Sequence, residues 1–193
     1  MTQRNVIQFV CLFLVIGLLQ ACVNAAVTGA QAVYDRHSLQ KNVNDHYIAF
    51  RSYQAIYMNS DRYNDTNVSI TAFNNIILMT GQTPQPEQRE EIENIVRKTS
   101  GIKEIYNWVT ISKPASALTE ISDTWITAKI KTQLIATNEI DPSEIKVVTE
   151  NGTVYLMGTL LPEEAAIAVN TARTTAGVQS VVKIFSYLRI SKT

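Results

Sequence analysis

The chain has little of what most catalytic and metal sites are built from. Its 193 residues include two cysteines and two histidines, His37 and His46, both in the first quarter of the sequence. Two thiols make neither a disulfide framework nor a four-thiolate zinc site. Neither histidine has a cysteine partner or an Asp–His pattern at ligand spacing, so no metal is expected. No Gly-x-Gly-x-x-Gly or Walker-type loop occurs, and no cofactor is implied. Excess positive charge is also missing: 17 Lys+Arg stand against 17 Asp+Glu, which removes the general electrostatic case for nucleic acid. With 18% charged and 46% hydrophobic residues, a wholly disordered chain is excluded as well.

Charge is scarcest at the start, where Arg4 is the only charged residue before Asp35. Behind it runs an apolar stretch from Val6 to Leu19 that is shorter than the ~20 residues a bilayer span takes. A charged n-region followed by such an h-region has the order of a secretory signal. The stretch ends in Leu19-Gln-Ala-Cys22, which resembles the lipobox of bacterial lipoproteins. That resemblance implies a diacylglyceryl group and further acyl chains such as palmitate on Cys22, with cleavage just before it. Gln20 departs mildly from the pattern, and a plain signal with an incidental cysteine is the alternative. Each buried methylene contributes about 0.8 kcal/mol, so two or more acyl chains hold a protein on a membrane where one does not. Val23 stands where an aspartate would resemble an inner-membrane retention signal, which points to the outer membrane. Residues 22–45 carry no strong period and read as a tether.

An internal repeat follows. Val68-Ser-Ile-Thr-Ala-Phe-Asn-Asn-Ile-Ile-Leu-Met-Thr-Gly81 lies over Ile145-Lys-Val-Val-Thr-Glu-Asn-Gly-Thr-Val-Tyr-Leu-Met-Gly158 without a gap. Asn151-Gly152 between two apolar strands is a strong hairpin signal, and Asn74-Asn75 is its counterpart. Each copy continues through a proline (Pro84 or Pro162), a helical stretch, a glycine stop (Gly101 or Gly177) and a β-rich run. The runs are Ile105–Ile111 and Val181–Leu188. The second-helix stripes are Ile92, Ile95, Val96 and Thr99 in one copy and Ala165, Val169, Ala172 and Ala176 in the other. One more helix precedes each hairpin, Tyr47 to Met58 and Ile121 to Ala136. The expectation is an α+β chain of two tandem αββαβ sandwiches, each a three-stranded sheet with two helices. Its boundaries are 1–21 for the signal, 22–45 for the tether, 46–111 and 118–190 for the domains, and 112–117 for a Pro/Ser/Ala linker.

That element order, with Gly81 and Gly158 after the second strands, resembles the BON domain. Asp123-Thr-Trp-Ile-Thr-Ala-Lys-Ile-Lys-Thr-Gln-Leu134 and Thr149-Glu-Asn-Gly-Thr-Val-Tyr-Leu-Met-Gly158 are similar to the second domain of dual-BON envelope lipoproteins. The resemblance covers almost the whole chain and is weakest over 45–66, where the first helix is Tyr-rich. It implies a non-enzymatic, lipid-anchored outer-membrane protein facing the periplasm. It further implies binding of anionic phospholipid (phosphatidylglycerol, cardiolipin) and support of envelope integrity, including at the division site.

The helix from Ile121 carries two apolar stripes. Ile126, Ile130 and Leu134 are assigned to the sheet. Ile121, Trp125, Ala128, Thr132 and Ile135 form a second stripe, flanked by Lys129 and Lys131. Tryptophan between lysines suits a headgroup boundary, where each lysine near an anionic surface adds about 1 kcal/mol. The alternative packs Trp125 against the first domain. A periplasmic adaptor that meets envelope proteins through Trp125 and the tyrosines Tyr47, Tyr53, Tyr57 and Tyr63 is the second functional reading. Such tyrosines are more often half-buried. The acid pairs Glu90-Glu91 and Glu163-Glu164 are read as helix starts, and Gly81 and Gly158 as close-packing or special-angle positions.

Overall fold

Two hairpins of the same chemistry organise the chain. β1 (Asn67–Phe73) and β2 (Ile76–Thr83) are joined by Asn74 and Asn75, at φ 50° and 67°. β5 (Ile145–Glu150) and β6 (Thr153–Leu160) are joined by Asn151 and Gly152, at φ 48° and 71°. Positive φ at both central residues is the mirror-image turn whose twist matches that of antiparallel strands. The computed structural model describes residues 31–58 and 61–188, with side chains from residue 43. The Cys22 anchor and the tether up to residue 30 lie outside the described residues, and the rest of the expected tether is helical.

Each hairpin acquires a third strand in parallel after a helical crossover. α2 (Pro86–Arg97) leads to β3 (Glu104–Asn107) and the short β4 (Thr110–Ile111), both beside β2. α4 (Pro162–Thr174) leads to β7 (Ser180–Tyr187), paired with β6 from Thr153↔Ser180 to Leu160↔Tyr187. The run expected from Ile105 to Ile111 is broken at Trp108–Val109, where the Asn107 side chain accepts from the Val109 amide and Val109 turns inward. α1 (Gln31–Tyr57) and α3 (Ala117–Thr137) precede the hairpins.

Several boundaries differ from the sequence expectation. α1 begins at Gln31, well before Tyr47, because a stretch without apolar period can still be helical. Pro86, not Pro84, opens α2, so Glu87 lies in the first turn and Glu90-Glu91 sit one turn further in. Glu91 instead accepts from Arg62 at 2.7 Å and from Tyr63 at 3.2 Å. Glu163 and Glu164 do open α4, and Glu164 accepts from the Leu161 amide at 2.7 Å. Both second helices end before their glycines, at Arg97 and Thr174, so Ala176 is exposed beyond the helix.

The described residues from Leu39 onward form one compact unit holding both repeats. Ile48, Ile56, Ile92 and Val96 pack on Ile77 and Met79 in the first core. Ile126, Ile130, Leu134, Ala165, Ala168 and Ala172 pack on Val154, Leu156 and Leu160 in the second. The alternate residues of the same strands build a third core. Leu78 and Phe73 of the first sheet meet Tyr155, Met157 and Ile184 of the second. The helix-free faces of the two sheets are therefore packed on each other, and β2 and β6 are apolar on both sides.

Polar contacts frame this interface. Gln82, almost wholly buried, donates to Glu150 at 2.5 Å and accepts from the Ala115 amide at 2.9 Å. Asn74 donates to the Thr159 hydroxyl at 3.0 Å, and Asn67 to Glu120 at 3.2 Å. Burial, then the Glu150 charge, pushes the Tyr155 phenol up to about 12. The 112–117 linker lies largely exposed and is pinned at both ends: the Ser112 amide donates to the Thr83 carbonyl, and Ser116 caps α3 by accepting from the Thr119 amide.

The repeat glycines differ in role. Gly81 sits at φ +108°, and a Cβ there would lie 1.9 Å from the Asn67 carbonyl oxygen. Gly158 needs no special φ, but a Cβ would stand 3.0 Å from the Glu144 carbonyl oxygen and from Leu160.

Candidate membrane-facing helix

α3 is a 21-residue helix capped at both ends, by Ser116 and by Asn138 in the left-handed conformation. Its inward face is Asp123, Ile126, Ile130 and Leu134, all buried. Asp123 was not recognised from sequence. One carboxylate oxygen accepts from the Asn151 amide at 2.7 Å and the other from the Gly152 amide at 2.9 Å. Asp45 of α1 does the same for Asn74 and Asn75, at 2.7 and 2.9 Å. Each first helix thus holds its own hairpin turn by a carboxylate. The repeat itself carried the signal, since Asp45 and Asp123 stand at nearly the same distance ahead of the two turns.

The opposite face of α3 is the second apolar stripe. Ile121 is 65% exposed, Trp125 55% and Ile135 56%, against 1% for the neighbouring Ile126. Ala128 and Thr132 between them are exposed too. The Thr132 hydroxyl donates to the Ala128 carbonyl at 2.9 Å, so its hydrogen-bonding need is met within the helix. Leu118, 79% exposed, extends the stripe by a turn and was missed because the helix was expected to start at Ile121. Lys129 lies over the Trp125 ring with Nζ 4.8 Å from its centre, a cation–π contact worth about 0.5–1 kcal/mol at an exposed site. Lys131, on the other flank, is exposed. Trp125 has not been taken up by the first repeat: the inter-repeat core is built on the sheets, and α3 lies on the far side of its own sheet.

The first repeat carries a related stripe. Aligned on the buried aspartates, Val43 stands for Ile121, Tyr47 for Trp125 and Arg51 for Lys129. Val43, Tyr47, Phe50, Tyr53 and Met58 are all exposed. Tyr57 and Tyr63 turn inward: the Tyr57 hydroxyl accepts from the Val68 amide at 3.0 Å, and Tyr63 is buried. The four tyrosines are therefore split between surface and core. Among the described residues no group of His, Cys, Asp and Glu is placed to hold a metal ion, and no helix is long and apolar enough to cross a membrane. His46 is exposed on α1.

A family model described as the BON domain matches residues 44–113 and 122–189. The chain belongs to the BON domain family. It is a dual BON protein, and each match begins inside the first helix of a repeat, beside the aspartate that holds the hairpin. The chain is 26% identical over 174 residues to the outer membrane lipoprotein DolP of Haemophilus influenzae, covering 88% of this chain and 90% of that protein. It is 34% identical over 125 residues to a 21 kDa hemolysin of Actinobacillus pleuropneumoniae, spanning 65% of this chain and 64% of that one. Osmotically-inducible protein Y of Escherichia coli matches at 24% over 131 residues, 65% of its length. The two BON repeats thus join sheet to sheet, and the second presents an apolar, lysine-flanked helix outward.

Proposed function

We propose that this chain is an outer-membrane lipoprotein, anchored through Cys22 and facing the periplasm, whose second BON domain binds anionic phospholipid through α3. The observation that carries the reading is the exposed stripe Ile121, Trp125, Ala128, Thr132 and Ile135 on a helix whose core face is already filled. A helix that only covers a sheet needs one apolar stripe. A second one beside Lys129 and Lys131 matches the layered demand of a membrane surface, with indole at the headgroup boundary and ammonium groups at the phosphates. Lysine attraction at about 1 kcal/mol each gives weak adhesion, which an acyl anchor strengthens by keeping the helix close to the bilayer. Its role in the cell is then support of outer-membrane integrity, including at the division site.

Titration of the protein with phosphatidylglycerol or cardiolipin micelles, followed by NMR, tests this. Shifts concentrated on residues 118–135 support it, and shifts spread evenly over the surface oppose it. An adaptor for envelope proteins is the second reading. It is favoured by the exposed Tyr47, Phe50 and Tyr53 on α1, a patch richer in aromatic rings than in cations and so closer to a protein-binding composition.

A further inference from the structure

A cavity of about 350 Å³ opens between α3 and β5, beside the C-terminal end of the exposed stripe. Phe73, Leu134 and Ile145 give it an apolar floor, Ile135 stands at its side, and Lys131 and Lys146 bring two ammonium groups to it. That volume falls within the roughly 300–1,000 Å³ of small-molecule sites.

The two lysines stand on one lining, Lys131 from α3 and Lys146 from β5. Burial holds the proton affinity of Lys146 below its ordinary value; Asp45 opposes this, and Lys131 adds a smaller push in the same direction as burial. Among the described residues neither makes an ion pair. The Lys146 Nζ has a long contact of 3.4 Å to the Ala72 carbonyl. Asp45 attracts it from nearby through charge, while both oxygens of that carboxylate accept hydrogen bonds from the amides of Asn74 and Asn75. Asp141, in the loop that borders the cavity, is likewise engaged by the amide and hydroxyl of Ser143, at 2.8 and 2.7 Å. Lys146, with burial against its charge and one long hydrogen bond, and the exposed Lys131 leave ammonium donors beside apolar lining that an anionic oxygen would satisfy.

We propose that this cavity is a binding site for a single anionic glycerophospholipid: Lys131 and Lys146 hold its phosphate, and a segment of acyl chain lies over Phe73, Leu134 and Ile145. The site rests on the membrane-facing reading of α3 and deepens it. The stripe adheres to the bilayer surface, and the cavity at its end takes one lipid out of that surface. Phe73 belongs to the first repeat, so the site is complete only with the two sheets packed together.

The test uses the full chain in neutral maltoside micelles, titrated separately with dihexanoylphosphatidylglycerol and inorganic phosphate. Amide shifts of Ile145, Lys146 and Val147 report the cavity, and those of Ile121 and Trp125 report the stripe. Phosphatidylglycerol is expected to shift the cavity amides saturably. Lys146→Gln and Lys131→Gln should each weaken this about tenfold or more, as loss of a charge-assisted hydrogen bond does. Because Lys146 is half-buried, the exposed Lys131 keeps the test open if the first variant misfolds. Unchanged affinity in a folded lysine variant overturns the proposal. So does inorganic phosphate binding as tightly as the lipid, which would make this an anion site without an acyl portion. Trp125→Glu separates the two readings: it should abolish adhesion to anionic vesicles while the cavity still binds monomeric lipid. Vesicle adhesion that survives Trp125→Glu counts against the stripe and leaves the cavity result standing.

Discussion

Replacing Asp123 by alanine removes the carboxylate acceptors of two consecutive backbone amides in the β5–β6 turn. The amides of Asn151 and Gly152 lie 2.7 and 2.9 Å from the two carboxylate oxygens, on a side chain that is almost fully buried. A buried donor left without a partner costs about 1–3 kcal/mol, so the two together should cost about 2–6 kcal/mol, less whatever water recovers. Against the 5–15 kcal/mol that holds a typical domain, that is a large fraction. Asp123→Asn keeps one acceptor oxygen but turns an amide NH2 donor toward the other backbone N–H, so it should lose at least half as much. Asp45→Ala breaks the equivalent pair at Asn74 and Asn75 and should cost about the same, since the distances match within the two repeats. Urea denaturation followed by far-ultraviolet circular dichroism gives the free-energy change directly. An Asp123→Ala midpoint within error of the parent would refute the claim that the carboxylate holds the turn.

Other perturbations follow from the same geometry. Gly158→Val should lose about 1–3 kcal/mol and lower the protein level, because its side chain meets the Glu144 carbonyl and Leu160. Gly81→Ala should be worse, with backbone 1.9 Å from the new Cβ and an unfavourable φ; an unchanged melting temperature at either site would contradict this. Glu150 is held above the ordinary carboxylate range, first by burial and then by Asp123 and Glu120, with the Gln82 hydrogen bond opposing. A raised folded-state value means the folded protein binds the proton more tightly. Stability from this group is therefore full below the ordinary carboxylate range and falls as pH rises through the folded value. Glu150→Gln should flatten that slope in pH-dependent melting, and an unaltered slope would contradict the assignment. Cys22→Ser should leave a soluble or uncleaved protein; processing and outer-membrane retention of that variant would remove lipidation from the account.

The hairpins and the double character of α3 were legible because each has a local signature. Asn-Gly tolerates positive φ at both turn positions, and Ile126, Ile130 and Leu134 recur at helical spacing on a face distinct from Trp125. The buried aspartates had no such signature, since one carboxylate within a helix looks like any solvated residue until the chain is folded. The start of α1 escaped for the opposite reason: residues 31–45 have no apolar period to read. The packing of sheet on sheet left a trace in Val154-Tyr-Leu-Met157, an apolar run without alternation, which is what a strand buried on both faces looks like. Nothing local said that the second face would be covered by the other repeat. Trp125 could have packed against the first domain on sequence grounds, and only the sheet-to-sheet joint leaves it outside.

The central claim is that one face of α3 holds the fold and the other meets the membrane, and one paired measurement tests it most directly. Trp125→Glu and Ile126→Glu place the same charge on adjacent residues that point about 100° apart around the helix. Circular dichroism should be read beside flotation with phosphatidylglycerol vesicles at low and high salt, since headgroup attraction is screened within about 10 Å at 0.1 M. The account predicts a folded Trp125→Glu protein that no longer floats, and an unfolded Ile126→Glu protein. A folded Trp125→Glu protein that floats as the parent does, or one that unfolds, would contradict it.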